Sequence, residues 1–388
     1  MDKQKLTKKI LITGGGSGGH VSAALSIISS LQEKYILDKE HFLYVGGDLG
    51  MEGERTGNSI EQKLMKVKDF NCKYIRPGKL QRTFSFNTIR LLLRTVLGFW
   101  DSYKIVREFR PDIVISTGGF VTVHVCLMAK LFKAKIYLHE QTATVGLTNN
   151  LVGKVSEKVF ISFESSRKYF TKAETILTGN LVKEDIFNIK GQGKLADTIK
   201  LMKEHQDQYP IIYMSGGGLG SHLINDTVKE CLPLLLQKYQ IILQTGENRV
   251  FKDFKALQNA KASLPKELQS RFLPVTYVQS HDIGYLLNNI DLFVGRAGAN
   301  TVYEMGVLQI PSIFIPIPWV THNEQQMNAE VLVKLGLAEI IQEGELTSGC
   351  LVLRIDRFFK RKLEINKDEL KKVFKTDANK LILKEIGL

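Results

Sequence analysis

The chain has 388 residues, 44% hydrophobic and 24% charged, the balance of an ordinary soluble globular protein with room for two domains. No apolar run approaches the roughly 20 residues a membrane-spanning helix needs. The formal net charge is +13 and uneven: residues 1–180 carry 27 Lys and Arg against 16 Asp and Glu, residues 181–388 carry 26 against 24.

Met1 to Lys9 is polar and basic and leads directly into a strand at Ile10–Thr13, so no signal peptide is expected. Gly14 to His20 follows, then a helix from about Val21 to Leu31. This is phosphate-loop geometry, and it is no Walker loop because no Lys-Ser or Lys-Thr follows. His20 at a helix start is disfavoured as imidazolium, so a neutral ring able to accept a proton is expected. A second strand, Phe42–Val45, ends at Asp48, the position where a nicotinamide enzyme wants a ribose-binding acid. Residues 58–68 read as helix and Cys72–Ile75 as strand. From Arg76 to Trp100, Arg76, Lys79, Arg82, Arg90 and Arg94 alternate with large apolar residues. Such a segment either covers the sheet or touches an anionic membrane. Asp112–Ser116 and Lys135–Leu138 are strands, the second running into His139-Glu140-Gln141-Thr142. Ala143 stands where a zinc His-Glu-x-x-His motif needs its second histidine. Strands at 158–161 and 175–177 close the first sheet.

Thr178 to Lys183 reads as the interdomain connection, and 190–208 as a polar, helical or disordered piece. The pattern then restarts: strand 210–214, a glycine turn at 215–221, a helix, and strands at 240–244 and 272–275. Val294 to Gln326 is the densest stretch. A strand at 291–294, a helix at 299–307 and a strand at 310–317 bring Arg296, Asn300, Thr301, Glu304, Gln325 and Gln326 to one strand-end edge. Amides at Ala299–Thr301 suit phosphate oxygens, Glu304 suits a vicinal diol, and the two glutamines suit sugar hydroxyls. The tail from Asp356 is helical and basic. Cys72, Cys126, Cys231 and Cys350 lack metal spacing and read as reduced, as in a cytoplasmic protein. The fold expected is α/β: two Rossmann-like doubly wound domains facing across a cleft, 1–180 and 181–360, with 361–388 packing back on the first.

The motifs resemble the GT-B glycosyltransferases, and among them the MurG family. Gly-Gly-x-Gly-Gly-His-Val at 15–21, Gly-Gly-Phe-Val at 118–121, His-Glu-Gln at 139–141, Gly-Leu-Thr-Asn at 146–149 and Gly-Asn at 179–180 carry it. So do the glycine turn at 216–220, Arg-x-Gly-Ala-x-Thr-Val-x-Glu at 296–304 and Gln-Gln-x-Asn-Ala at 325–329. They lie in family order over most of the chain. Three positions depart: Thr142 for asparagine, Asn180-Leu181-Val182-Lys183 for Asn-Pro-Val-Arg, and Gly218 for serine.

The resemblance implies an inverting transfer of N-acetylglucosamine from UDP-N-acetylglucosamine to the muramyl 4-hydroxyl of lipid I, a polyprenyl-diphosphate-linked muramyl peptide, giving the lipid II of peptidoglycan synthesis. His20 is the expected base, with Glu140 or His139 next. Arg296, Lys183, the Gly216–Ser221 amides and those at Ala299–Thr301 would hold the diphosphate, Glu304 the ribose, and Gln325, Gln326 and Asn328 the sugar. Ser17, Gly18, Gly19, Thr142, Gly218, Val302 and Tyr303 complete the expected substrate contacts. No Asp-x-Asp occurs, so no metal or other cofactor is expected. The first domain would dock on the anionic cytoplasmic face of the cell membrane, with no nucleic acid as partner. The rivals are a UDP-N-acetylglucosamine 2-epimerase or a glycolipid transferase, then an oxidoreductase or a nucleic-acid binder.

Overall fold

The computed structural model describes residues 3–48, 59–65, 70–78, 86–205, 207–247, 250–320, 323–361 and 364–388, with backbone alone at 60, 63, 64 and 86–92. Contacts divide the chain into two units, Met1–Val182 with Lys375–Leu388, and Lys183–Phe374.

The first unit holds β1 (Gln4–Lys5), β2 (Ile10–Thr13), β3 (Tyr35–Ile36), β4 (Phe42–Gly47), β5 (Cys72–Ile75), β6 (Ile113–Ser116), β7 (Lys135–Glu140), β8 (Lys158–Ile161) and β9 (Glu174–Leu177). Seven of them form a parallel sheet in the order β5-β4-β2-β6-β7-β8-β9, while β1 pairs only with β3. The runs are apolar throughout because both faces are covered. Ile10 and Ile12 pack with the helix Gly18–Lys34 and with Ile382, Leu383 and Ile386 of the helix Ala378–Glu385 and its end. Leu11 faces the other way, with Val106 of the helix Phe86–Phe109 and Val125 of the helix Phe120–Leu131. The chain leaves β2 toward β4 and β5, then returns to β6 on the other side. The switch point therefore lies between β2 and β6, where open α/β sheets carry their ligands.

The second unit repeats the plan with β10 (Ile211–Ser215), β11 (Gln240–Gln244), β12 (Phe272–Val275), β13 (Leu292–Gly295), β14 (Ser312–Phe314) and β15 (Ala338–Ile340). All are parallel, in the order β12-β11-β10-β13-β14-β15, with the switch point between β10 and β13. The strand expected at 310–317 is only three residues long. Pro316 and Pro318 lack the N–H a ladder needs, and the Ile317 N–H is instead taken by Gln325 Oε1 at 3.1 Å.

The boundary expected at 360/361 moves. Residues 364–374 cluster with the second unit, where the Phe374 ring packs on Tyr303, 5.0 Å between centroids. Only from Lys375 does the chain join the first unit, tied by Asn379 Nδ2 to Ser26 Oγ at 2.9 Å and by Lys158 Nζ to Glu385 Oε2 at 2.6 Å. Among the described residues no helix is long and apolar enough to cross a membrane.

Candidate functional site

At the first switch point the glycine turn places His20 in the first turn of the helix Gly18–Lys34. Ser17 is the N-cap, and its Oγ accepts from the His20 N–H at 3.4 Å. The His20 ring reaches across to the end of β6: Nδ1 lies 2.8 Å from Thr117 O. A carbonyl oxygen only accepts, so this shorter contact favours the proton on Nδ1 and Nε2 as the basic nitrogen, while Gln141 Nε2, 3.1 Å from the same Nδ1, would donate to it in the other tautomer. Thr117 Oγ1 donates back to His20 O at 2.8 Å, and Gln141 Nε2 donates to Thr117 O at 2.9 Å. Burial lowers the imidazole pKa below its ordinary value, opposed by the bond to Thr117. The close approach needs glycine: Gly119 has φ +96°, and a Cβ there would stand 1.7 Å from Gly15 O.

One neighbour carries no sequence signal. Glu61, on the helix Ile60–Met65, is fully buried, and its Oε1 accepts from the Gly16 N–H at 2.6 Å. A Cβ on Gly15 would lie 2.3 Å from the same oxygen. A carboxylate thus occupies this turn where a phosphate-loop reading expects an anion. Asp48, the candidate ribose acid, is ion-paired with Arg94.

The end of β7 is a closed polar network. Glu140 Oε1 accepts from Thr142 N at 2.9 Å and from Thr142 Oγ1 at 2.8 Å, and Oε2 from Asn149 Nδ2 at 2.8 Å. Burial raises the Glu140 carboxyl, and these donors pull it down. The group is 1% exposed and engaged on both oxygens, which suits holding the loop rather than taking a proton. His139 is fully buried, with Nε2 3.1 Å from Gly179 O, and burial lowers its pKa to about 4.

At the second switch point Ser215 to Ser221 turns into the helix His222–Leu235. Gly217 N donates to Ser215 Oγ at 3.1 Å, and Gln244 Nε2 supports the Gly217 carbonyl at 3.2 Å. Around Gly217 and Gly218 an added Cβ meets nothing within 4 Å. The helix Ala299–Leu308 begins beside this turn with Gly298 as N-cap and no side-chain cap bond. Glu304 is half-buried on that helix. Desolvation raises its carboxyl to about 7, with the Lys183 charge pulling the other way. The Tyr213 hydroxyl feels both Glu304 and the half-exposed Tyr277, an aromatic the sequence reading did not single out.

Several expected contacts are turned inward. Arg296 is 7% exposed and ion-paired with Glu343, and it donates to Ser221 Oγ at 2.9 Å and to Ile315 O at 3.1 Å. These three partners brace the turn through the guanidinium NH groups. Val302, Tyr303 and Asn328 are fully buried; Tyr303 packs on Phe374, and Asn328 Nδ2 reaches Ala297 O at 3.3 Å. Gln325 Oε1 accepts from Ala297 N at 3.3 Å as well as from Ile317 N, which leaves its amide NH2 for a ligand. Gln326 is bonded to Glu330 at 3.0 Å and to Gln342 at 3.2 Å. Among the described residues no group of three or more His, Cys, Asp or Glu side chains is placed to hold a metal ion.

The glycosyltransferase family 28 N-terminal domain matches residues 10–161, and the family 28 C-terminal domain matches residues 211–384. A relative from Clostridium novyi is 31% identical over 386 residues, 98% of this chain and 97% of its own length. It is named UDP-N-acetylglucosamine--N-acetylmuramyl-(pentapeptide) pyrophosphoryl-undecaprenol N-acetylglucosamine transferase. The chain belongs to the MurG family. Acinetobacter baumannii MurG superposes with a TM-score of 0.70 at 21% identity, over 98% of this chain and 99% of that one, which supports the GT-B fold. The UDP-GlcNAc 2-epimerase of Neisseria meningitidis shares that fold at 14% identity and a TM-score of 0.62, over 97% and 99% of the two chains.

The three departures from the MurG pattern fall at different kinds of place. Thr142 is 7% exposed and bound to Glu140, so it serves the β7 loop. Lys183 acts electrostatically on Glu304. Gly218 stands in open space, and a Cβ added there meets nothing within 4 Å.

Proposed function

We propose that this chain transfers N-acetylglucosamine from UDP-N-acetylglucosamine to the muramyl 4-hydroxyl of lipid I, with inversion, forming lipid II. Near-full-length similarity to transferases of that name carries the reading. The acceptor oxygen forms a bond to the anomeric carbon as the bond to the diphosphate oxygen breaks. The hydroxyl proton goes to His20 Nε2, and the electron pair leaves with UDP. In this tautomer Thr117 O accepts from Nδ1–H and Nε2 is the basic nitrogen. Glu140 is a positioning residue that ties Thr142 and Asn149 in the loop after β7. The Gly216–Ser221 amides, the Ala299–Thr301 amides and Lys183 stabilise the leaving diphosphate. Glu304 accepts from the ribose diol, the Gln325 NH2 meets the sugar, and Tyr277 offers a face for the base. Arg296, Val302, Tyr303, Asn328 and Gln326 support these groups from behind. Transfer of radiolabel from UDP-N-acetylglucosamine to a lipid I analogue tests the reading. Label that stays with the nucleotide, or that appears only in an epimerised sugar nucleotide, rejects it.

We also propose peripheral docking on the cytoplasmic face of the membrane. Lys79 and Arg82 lie outside the described residues, as does the Arg90 side chain. Arg76 and Arg94 are ion-paired with Asp101 and Asp48. The support is instead apolar: Leu93, Val96, Leu97 and Trp100 are exposed at i, i+3, i+4 and i+7, one face of a helix. Leu93→Asp with Trp100→Asp should release the protein from anionic vesicles while UDP binding persists. A double variant that still pellets with them removes this face from the docking surface.

A further inference from the structure

A groove of about 590 Å³ opens at the edge of the first sheet where β2, β6 and β7 begin, the edge away from the glycine turn. Its floor includes Ile113, Phe132 and the nearly buried Tyr137. Lys8, Arg110, Lys133 and Lys135 line it, with Asp112 the acid among them. Asp112 Oδ2 is occupied by the Lys9 N–H at 2.8 Å. The helices Phe86–Phe109 and Phe120–Leu131 also end here, and each C-terminus brings roughly half a negative charge. A third helix, Ala378–Glu385, also ends here, with its cap Ile386 in the lining and Lys8 Nζ donating to Gly387 O at 3.4 Å, so four cations against Asp112 and three such ends leave about one and a half positive charges.

The backbone makes dipole capping alone an insufficient account. Arg110 has φ 54° and Lys133 φ 61°, two of the five left-handed non-glycine residues among the described ones. Both follow a helix C-terminus, where glycine adopts that conformation without strain and a long side chain does not. The Arg110 guanidinium is held 4.6 Å from the Phe132 ring centroid, and its Nε donates to Arg107 O at 3.2 Å. It is a planar donor fork fixed over an aromatic floor, flanked by point charges, at a volume usual for small-molecule sites.

We propose that this groove binds a small anion carrying two or more phosphate charges, at a site separate from the donor turn. The probe is inorganic pyrophosphate at low salt, titrated calorimetrically with UDP held just high enough to fill the donor site. The wild type should bind it, and Arg110→Gly with Lys133→Gly should weaken that affinity 10-fold or more. The glycines relieve left-handed backbone, so the double variant should melt no lower than the wild type and keep its stabilisation by UDP. Lys135→Ala, which alters no helix end, should weaken pyrophosphate several-fold and serves if the double variant folds poorly. A wild type that ignores pyrophosphate overturns the proposal, as does unchanged affinity in Lys135→Ala and the double variant.

Discussion

The two glycine turns, 14–19 and 216–220, stand at equivalent switch points of two parallel sheets, yet they are prepared for opposite charges. In the first, the buried Glu61 carboxylate takes the Gly16 amide, and the turn presents a neutral His20. In the second, the space at Gly217 and Gly218 is open, and a helix with no side-chain cap bond begins alongside. The first turn is thus suited to receive a proton and the second to receive an anion. Glycine spacing reports the path of the chain, and what approaches that path is set by side chains far away in sequence.

The largest expected effect tests the first turn. His20→Ala should lower turnover by roughly 100-fold or more in steady-state assays while leaving UDP affinity near normal. Burial holds the imidazole below its ordinary range, so turnover limited by this base should stay on its plateau down to pH values below about 6.5. Near-normal turnover in the variant would deny the turn its catalytic part.

On the second turn's side, Glu304→Ala should weaken UDP binding roughly 10- to 100-fold in calorimetry, the loss of about 1.5–3 kcal/mol for hydrogen bonds to a charged group. The wild-type Glu304 carboxyl titrates near 7. UDP affinity should therefore rise with pH through about 7 as the carboxylate forms, and Glu304→Gln should lose that part of the slope. The sign for stability is the reverse. The folded chain holds this proton more tightly than the unfolded one, so the stabilisation is complete below the ordinary carboxyl value of 4.5 and is lost as pH rises through about 7.

A smaller change sharpens the contrast. Gly218→Ser adds a hydroxyl donor in open space and should tighten UDP binding about 2- to 10-fold, the worth of one neutral hydrogen bond. Weaker binding would mean that the open space is needed by the ligand itself. The smallest expected effect is none: transfer should survive EDTA, because amides and Lys183 meet the diphosphate charge. Loss of activity restored by magnesium would overturn that assignment.

Much of the fold was legible because its signal is local. Strands 10–13, 72–75, 158–161, 240–244 and 272–275 have the bounds their apolar runs suggest. β15 was not legible, since Ala338-Glu339-Ile340 is short and carries a charge at its centre. The site was legible as a set of residue types and less so as contacts. An arginine beside a glycine turn reads equally as an anion ligand or as half of an ion pair. Glu343, the ion-pair partner of Arg296, lies 47 positions onward. Glu61 is 45 positions from the amide it holds and belongs to no motif.

The exchange at Phe374–Lys375 bears on how the protein is made. Ile382, Leu383 and Ile386 belong to the core of the first unit, against Ile12 and Ile28. The ribosome delivers them only after all of residues 183–374, which at 5–20 residues per second takes roughly ten to forty seconds. For that interval one face of the first sheet is covered only in part, by the helix Gly18–Lys34, while the second unit is still being made. A nascent chain held at Phe374 should expose that face to chaperones, and release of the last helix should close it.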